Sequence, residues 1–145
     1  MYKRILLAYD GSEPGQQALL DCHEIAQWSQ AELFLIAVRP LPLITIGADG
    51  GVYDEALQET EISRFKAILD AGLQKLADVG IAAQGEVVTG DPVDEIVHCA
   101  RRIEANLIVV GHKHLDGWAA RWWRGSISRT LIEHAPCSVL VVITH

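Results

Sequence analysis

The chain has 145 residues, enough for one domain that buries about 70% of the surface its unfolded form exposes. Half of its residues are apolar, yet no apolar run approaches the roughly 20 residues a membrane-spanning helix needs, so no membrane partner is expected. A net charge of −7 argues against a nucleic-acid surface, which needs a broad basic field, but leaves room for a small anionic ligand held by local positive potential.

The first apolar run, Ile5 to Tyr9, has strand length. It is too short for a signal-peptide core and no small-residue cleavage site follows it, so the expected location is the cytoplasm. Ser12 is placed to cap a helix, with Glu13 at its positive end and Pro14 in its first turn. Ala18, Cys22, Ile25 and Ala26 form that helix's apolar face. Leu33 to Val38 is a second strand, followed by a long segment, Pro40 to Val52, rich in Pro, Gly and Asp. Ile62, Phe65, Leu69, Leu73 and Leu76 mark a second helix that Gly80 is placed to end.

Gln84 to Val88 mixes polar residues with valines and holds Gly85, which suits an edge strand. Asp91-Pro92 reads as a cap followed by proline at the first helical position. Val93, Ile96, Val97, Ala100 and Ile103 supply the buried stripe of that third helix. Leu107 to Val110 is a fourth strand, and the basic, tryptophan-rich segment Lys113 to Arg124 follows. A last helix runs from about Ser126 to His134, Ala135-Pro136 stops it, and Val139 to Ile143 is a terminal strand. Cys22, Cys99 and Cys137 lie far apart, as reduced thiols do, and form neither a disulfide framework nor a zinc site.

The order β-α-β-α-β-α-β-α-β predicts one α/β domain over residues 1–145: an open five-stranded parallel sheet with helices on both faces. In such sheets ligands bind beyond the carboxyl ends of the strands, where the strand order reverses. Strand one ends at Ala8-Tyr9-Asp10-Gly11-Ser12, and strand four ends at Val110-Gly111-His112-Lys113. With these strands adjacent, both turns face one crevice. The Gly125-Ser126 turn opens the last helix, whose free backbone N–H groups suit a phosphate, and the Ser126 and Ser128 hydroxyls can donate to it.

Val-Val-Gly-His-Lys-His, then Arg-Gly-Ser-Ile-Ser, then His-Ala-Pro-Cys-Ser-Val-Leu-Val-Val, resembles the C-terminal signature of the universal stress protein family. Leu-Leu-Ala-Tyr-Asp-Gly-Ser is similar to that family's first strand and turn, and the similarity runs through the whole chain in order. The resemblance implies a Rossmann-like, adenine nucleotide alpha-hydrolase-like fold that binds ATP, with magnesium accompanying it. It also implies a homodimer through the C-terminal strand. ATP-binding members carry Gly, two residues, Gly, nine residues, then Gly-Ser or Gly-Thr. Gly111 and Gly125-Ser126 match the outer positions, whereas His114 replaces the middle glycine and ten residues follow it.

By position, the resemblance puts Asp10 near the adenosine moiety and the Val38 backbone at adenine. Gly111, His112, Gly125, Ser126 and Ile127 would line ribose and phosphates. Lys113 and Arg124 join them on charge alone.

Plainer readings stand beside these. Asp10 is a common turn or capping residue after a strand, and Gly111 and Gly125 could be backbone punctuation. His112 and His114 form an H-x-H pair with only Asp116 at a familiar metal-ligand spacing. Trp118, Trp122 and Trp123 would pack over a nucleotide, against a partner chain or into the domain's own surface. No catalytic constellation, Walker phosphate loop or dinucleotide fingerprint is present, so hydrolysis is expected to be absent or slow. The expected role is a nucleotide-binding regulatory dimer, the alternatives being a nucleotide-free interaction module and a slow nucleotide hydrolase.

Overall fold

The computed structural model describes residues 2–40, 55–113 and 127–144, with the backbone alone at Lys113, Ile127 and Ser128. The strands are β1 (Arg4–Ala8), β2 (Glu32–Arg39), β3 (Gln84–Thr89), β4 (Leu107–Lys113) and β5 (Ser138–Thr144). The helices are α1 (Glu13–Ser29), α2 (Glu55–Asp78), α3 (Pro92–Arg102) and α4 (Ile127–His134). The strands form one parallel sheet in the order β3-β2-β1-β4-β5. β1 is therefore central and β4 is its neighbour, with Leu6 registered between Phe34 and Ile108.

Alternation along β1 divides the core. Ile5, Leu7 and Tyr9 face one layer with Ala18, Cys22 and Ala26 of α1 and Leu69 and Leu76 of α2. Leu6 faces the other, with Val93, Ile96 and Ala100 of α3 and Leu131 of α4. Covered on both faces, the inner strands are apolar through their middles, residues 5–8, 33–38 and 107–110. β3 and β5, at the edges, are only partly buried.

The helix starts follow their capping chemistry. The Ser12 hydroxyl accepts from the Gly15 N–H at 3.2 Å, and the Asp91 carboxylate accepts from the Asp94 N–H at 3.1 Å, each relieving an unpaired donor. Arg101 and Arg102 in the last turn of α3 complement its dipole. Past α2, Gly80 adopts φ +85°, a left-handed conformation that glycine takes without strain.

Two sequence expectations need correction. Ile62 is 43% exposed, while Ile68 and Gly72, outside the predicted stripe, pack inward. The contact face of α2 is set by Gly72, where a Cβ would lie 2.7 Å from Cε1 of Tyr9, so the helix sits directly on that ring. The strand boundaries also shift by one to three residues: β4 runs on to Lys113, and Tyr9 lies just past β1, although its N–H still donates to the Ile36 carbonyl at 2.9 Å. The segments predicted as long loops, Pro40 to Val52 and Lys113 to Arg124, lie outside the described residues except at Pro40 and Lys113. Among the described residues no helix is long and apolar enough to cross a membrane.

All three cysteines are free, Cys22 and Cys99 buried and Cys137 half-buried. Burial raises each thiol's pKa, aided at Cys22 by Asp21 and at Cys99 by Glu95. Raised folded-state values mean this contribution to stability is intact below about pH 8.5, the unfolded thiol value, and is lost as pH climbs above it. A thiol reagent at pH 8 should label the native protein slowly and first at Cys137. All three sites should react at once in denaturant. Rapid native labelling at Cys22 would contradict the packing described.

Candidate functional site

The crevice predicted between β1 and β4 is a cavity of about 420 Å³ at the carboxyl ends of β1, β2 and β4. Ala8, Tyr9, Asp10, Val38, Val110, Gly111 and His112 line it, together with Ile36, Pro40, Arg64, Phe65, Ile68, Pro92 and Ile96. The start of α3 forms one side and the middle of α2 the other. The lining is mostly apolar with a few polar groups at the rim, as in small-molecule sites of this size.

Asp10 is held by its own turn. Its Oδ1 accepts from both the backbone N–H and the hydroxyl of Ser12, the N–H at 2.9 Å. Gly15 leaves room for this carboxylate, since a Cβ there would lie 2.7 Å from Oδ1. Between them, Gly11 takes φ +77° and lies against Ile68 of α2. The exposed carboxylate thus stands at the positive end of α1, and its Oδ2 accepts no hydrogen bond among the described residues. The plain turn-residue reading of Asp10 is therefore correct, and it leaves one oxygen available to a ligand.

Gly111 is where β4 meets the start of α1. A Cβ there would lie 2.3 Å from the Pro14 carbonyl oxygen and 2.8 Å from the Gly15 nitrogen, both backbone atoms. No side chain fits, so this glycine permits the close helix–strand contact that shapes the cavity. Tyr9 also borders the cavity, but its ring is 3% exposed and packed beneath Gly72. Burial, then the charge of Asp10, raises its phenol pKa, which keeps it neutral.

Lys113 ends β4 with its side chain undescribed, and Ile127 and Ser128 open α4 as backbone only. Gly125 and Ser126, with Arg124, His114 and Trp118, Trp122 and Trp123, lie outside the described residues. The sequence reading missed the α2 wall, Arg64, Phe65 and Ile68, because nothing in a helical stripe says which turn overhangs a sheet edge. Pro92 and Ile96 carried a usable signal: they follow β3 directly, and so start at the same carboxyl edge as the turns that were identified.

The sequence matches the universal stress protein family over residues 1–142, and the chain belongs to that family. It is similar to the universal stress protein YxiE of Bacillus subtilis, 32% identical over 98% of this chain and 99% of the relative. Among solved structures it resembles a universal stress protein family member from Burkholderia pseudomallei, with TM-score 0.76, 26% identity, and 97% and 96% of the two chains covered. It also resembles a universal stress protein solved in complex with cAMP, with TM-score 0.71, 24% identity, and 97% and 96% covered. A third is the Archaeoglobus fulgidus universal stress protein in complex with dAMP, with TM-score 0.66, 24% identity, and 97% and 98% covered. At these last identities the likeness is one of fold.

Proposed function

We propose that the cavity at the ends of β1, β2 and β4 binds an adenine nucleotide, ATP or a close relative, and that its occupancy regulates what the protein assembles with. The observation that carries this reading is that Asp10, Val38 and Gly111, from three different strands or strand ends, line one cavity where the strand order reverses. Asp10 Oδ2 serves the adenosine moiety and the Val38 backbone the base. Gly111, His112 and the Gly125-Ser126 turn serve the ribose and phosphates, with Ile127, Ser128 and Lys113 beside them. Magnesium would accompany the phosphates. The complexes with cAMP and dAMP known for proteins of this fold support an adenine ligand. The proposed setting is the cytoplasm, with no nucleic acid or membrane as partner and with hydrolysis slow or absent.

The same reading includes a homodimer through β5. That strand is an edge, and Ile143 on it is 53% exposed, so its unpaired backbone and apolar side chains suit a second copy. Light scattering should give twice the chain mass, and Val141→Lys should shift it toward one. A monomer at high concentration of the unmutated chain would refute the dimer.

A second reading, a nucleotide-free interaction module, is favoured by one feature: His114 replaces the middle glycine of the motif, and ten residues instead of nine precede Gly125. Precipitating freshly purified protein and chromatographing the supernatant separates the two. Released adenine nucleotide supports the first. A supernatant free of nucleotide, from protein that also fails to take up added ATP, supports the second.

A further inference from the structure

We infer that Arg64 recognises the base of the bound nucleotide by laying its guanidinium plane against the purine face. This deepens the nucleotide reading of the cavity and rests on it. Arg64 lines the cavity from α2 and is exposed at its rim. Among the described residues it makes no ion pair and no side-chain hydrogen bond; its guanidinium carbon lies 5.9 Å from the centroid of the Phe65 ring.

Its nearest helical carboxylate, Glu61, three residues earlier, is already engaged. Glu61 accepts from Nη1 of Arg39 at 3.0 Å, and Arg39 is a buried cation that also donates from Nε to the Thr89 hydroxyl at 3.2 Å. Glu61 is thus committed to the buried arginine, and among the described residues no carboxylate pairs with the planar cation of Arg64 at the cavity.

The topology decides which part of a nucleotide that cation meets. α2 packs on β2 and β3, whereas α4, whose start follows the expected phosphate turn, packs on β5 and α3. From β2 across β1 to β4 is two strand spacings, about 10 Å, roughly the reach of a nucleotide from base to phosphates. Arg64 therefore stands at the end remote from the phosphates, beside the apolar walls of Val38, Phe65 and Ile68 that suit a purine. An arginine plane stacks on an aromatic face in this setting, and a lysine ammonium does not reproduce it.

Calorimetric titration of adenosine and AMP into the unmutated protein, Arg64→Ala and Arg64→Lys tests this. Arg64→Ala should weaken adenosine and AMP by the same factor, about 5- to 30-fold, with the melting temperature unchanged. Arg64→Lys should recover little of it. A loss confined to AMP would assign Arg64 to the phosphate and overturn the inference, as would unchanged affinity for both ligands. If the unmutated protein binds ATP but neither adenosine nor AMP, the inference fails while the nucleotide reading stands; if it binds none of the three, the nucleotide reading fails and the inference falls with it.

Discussion

Gly111→Ala should destabilise the protein by about 3 kcal/mol, the upper end of what overpacking costs, and lower its melting temperature by about 6–12 °C. The added carbon would meet the Pro14 carbonyl oxygen at 2.3 Å and its carbon at 2.4 Å. Both are backbone atoms at the start of α1, so no rotamer change relieves the clash and the helix end must move. The Asp10 turn is tied to that helix end through Ser12, whose hydroxyl also accepts from the Gly15 N–H. Ligand affinity should therefore fall along with stability. Gly80→Ala is the control. Its φ of +85° makes alanine strained, but nothing lies within 4 Å, so a cost of about 1 kcal/mol and no effect on the cavity are expected. Urea unfolding of the two variants measures the difference. Equal losses would mean that helix and strand are not in the contact described.

Asp10→Ala should weaken both adenosine and ATP by about 10- to 150-fold, the range for losing a hydrogen bond to a charged group. The same change removes the acceptor for the Ser12 N–H and hydroxyl, so some loss of stability accompanies it. Asp10→Asn separates the two effects. Its amide oxygen can still accept from Ser12, which keeps the turn, while the free carboxylate oxygen is gone. Asp10→Asn should melt within about 2 °C of the unmutated protein, a difference of at most about 1 kcal/mol, yet bind adenosine nearly as poorly as the alanine variant. Ser126→Ala should do the opposite, weakening ATP and sparing adenosine. If Asp10→Asn binds adenosine normally, Asp10 is a turn residue and nothing more.

Much of the fold was legible because each level of the sequence agreed with the next. The run Ile5 to Tyr9 and the run Leu107 to Val110 are apolar throughout because their strands are covered on both faces. Ser12 and Asp91 announce their helices by chemistry that acts within three residues. The polar, glycine-bearing Gln84 to Val88 is legible as an edge for the same local reason. What was not legible depends on how distant segments meet. The burial of Gly72 needs Tyr9 beneath it, and the cavity wall of Arg64, Phe65 and Ile68 needs α2 to overhang β2. Gly111 shows both sides. Its place in a glycine motif raises the expectation of a ligand residue, but only the contact with Pro14 explains why a side chain is excluded there.

Whether the cavity holds an adenine nucleotide is decided by calorimetric titration of ATP into the unmutated, nucleotide-stripped protein. A saturable binding isotherm with micromolar affinity, about −8 kcal/mol, and one site per chain is the predicted result. No binding at millimolar ATP would contradict it.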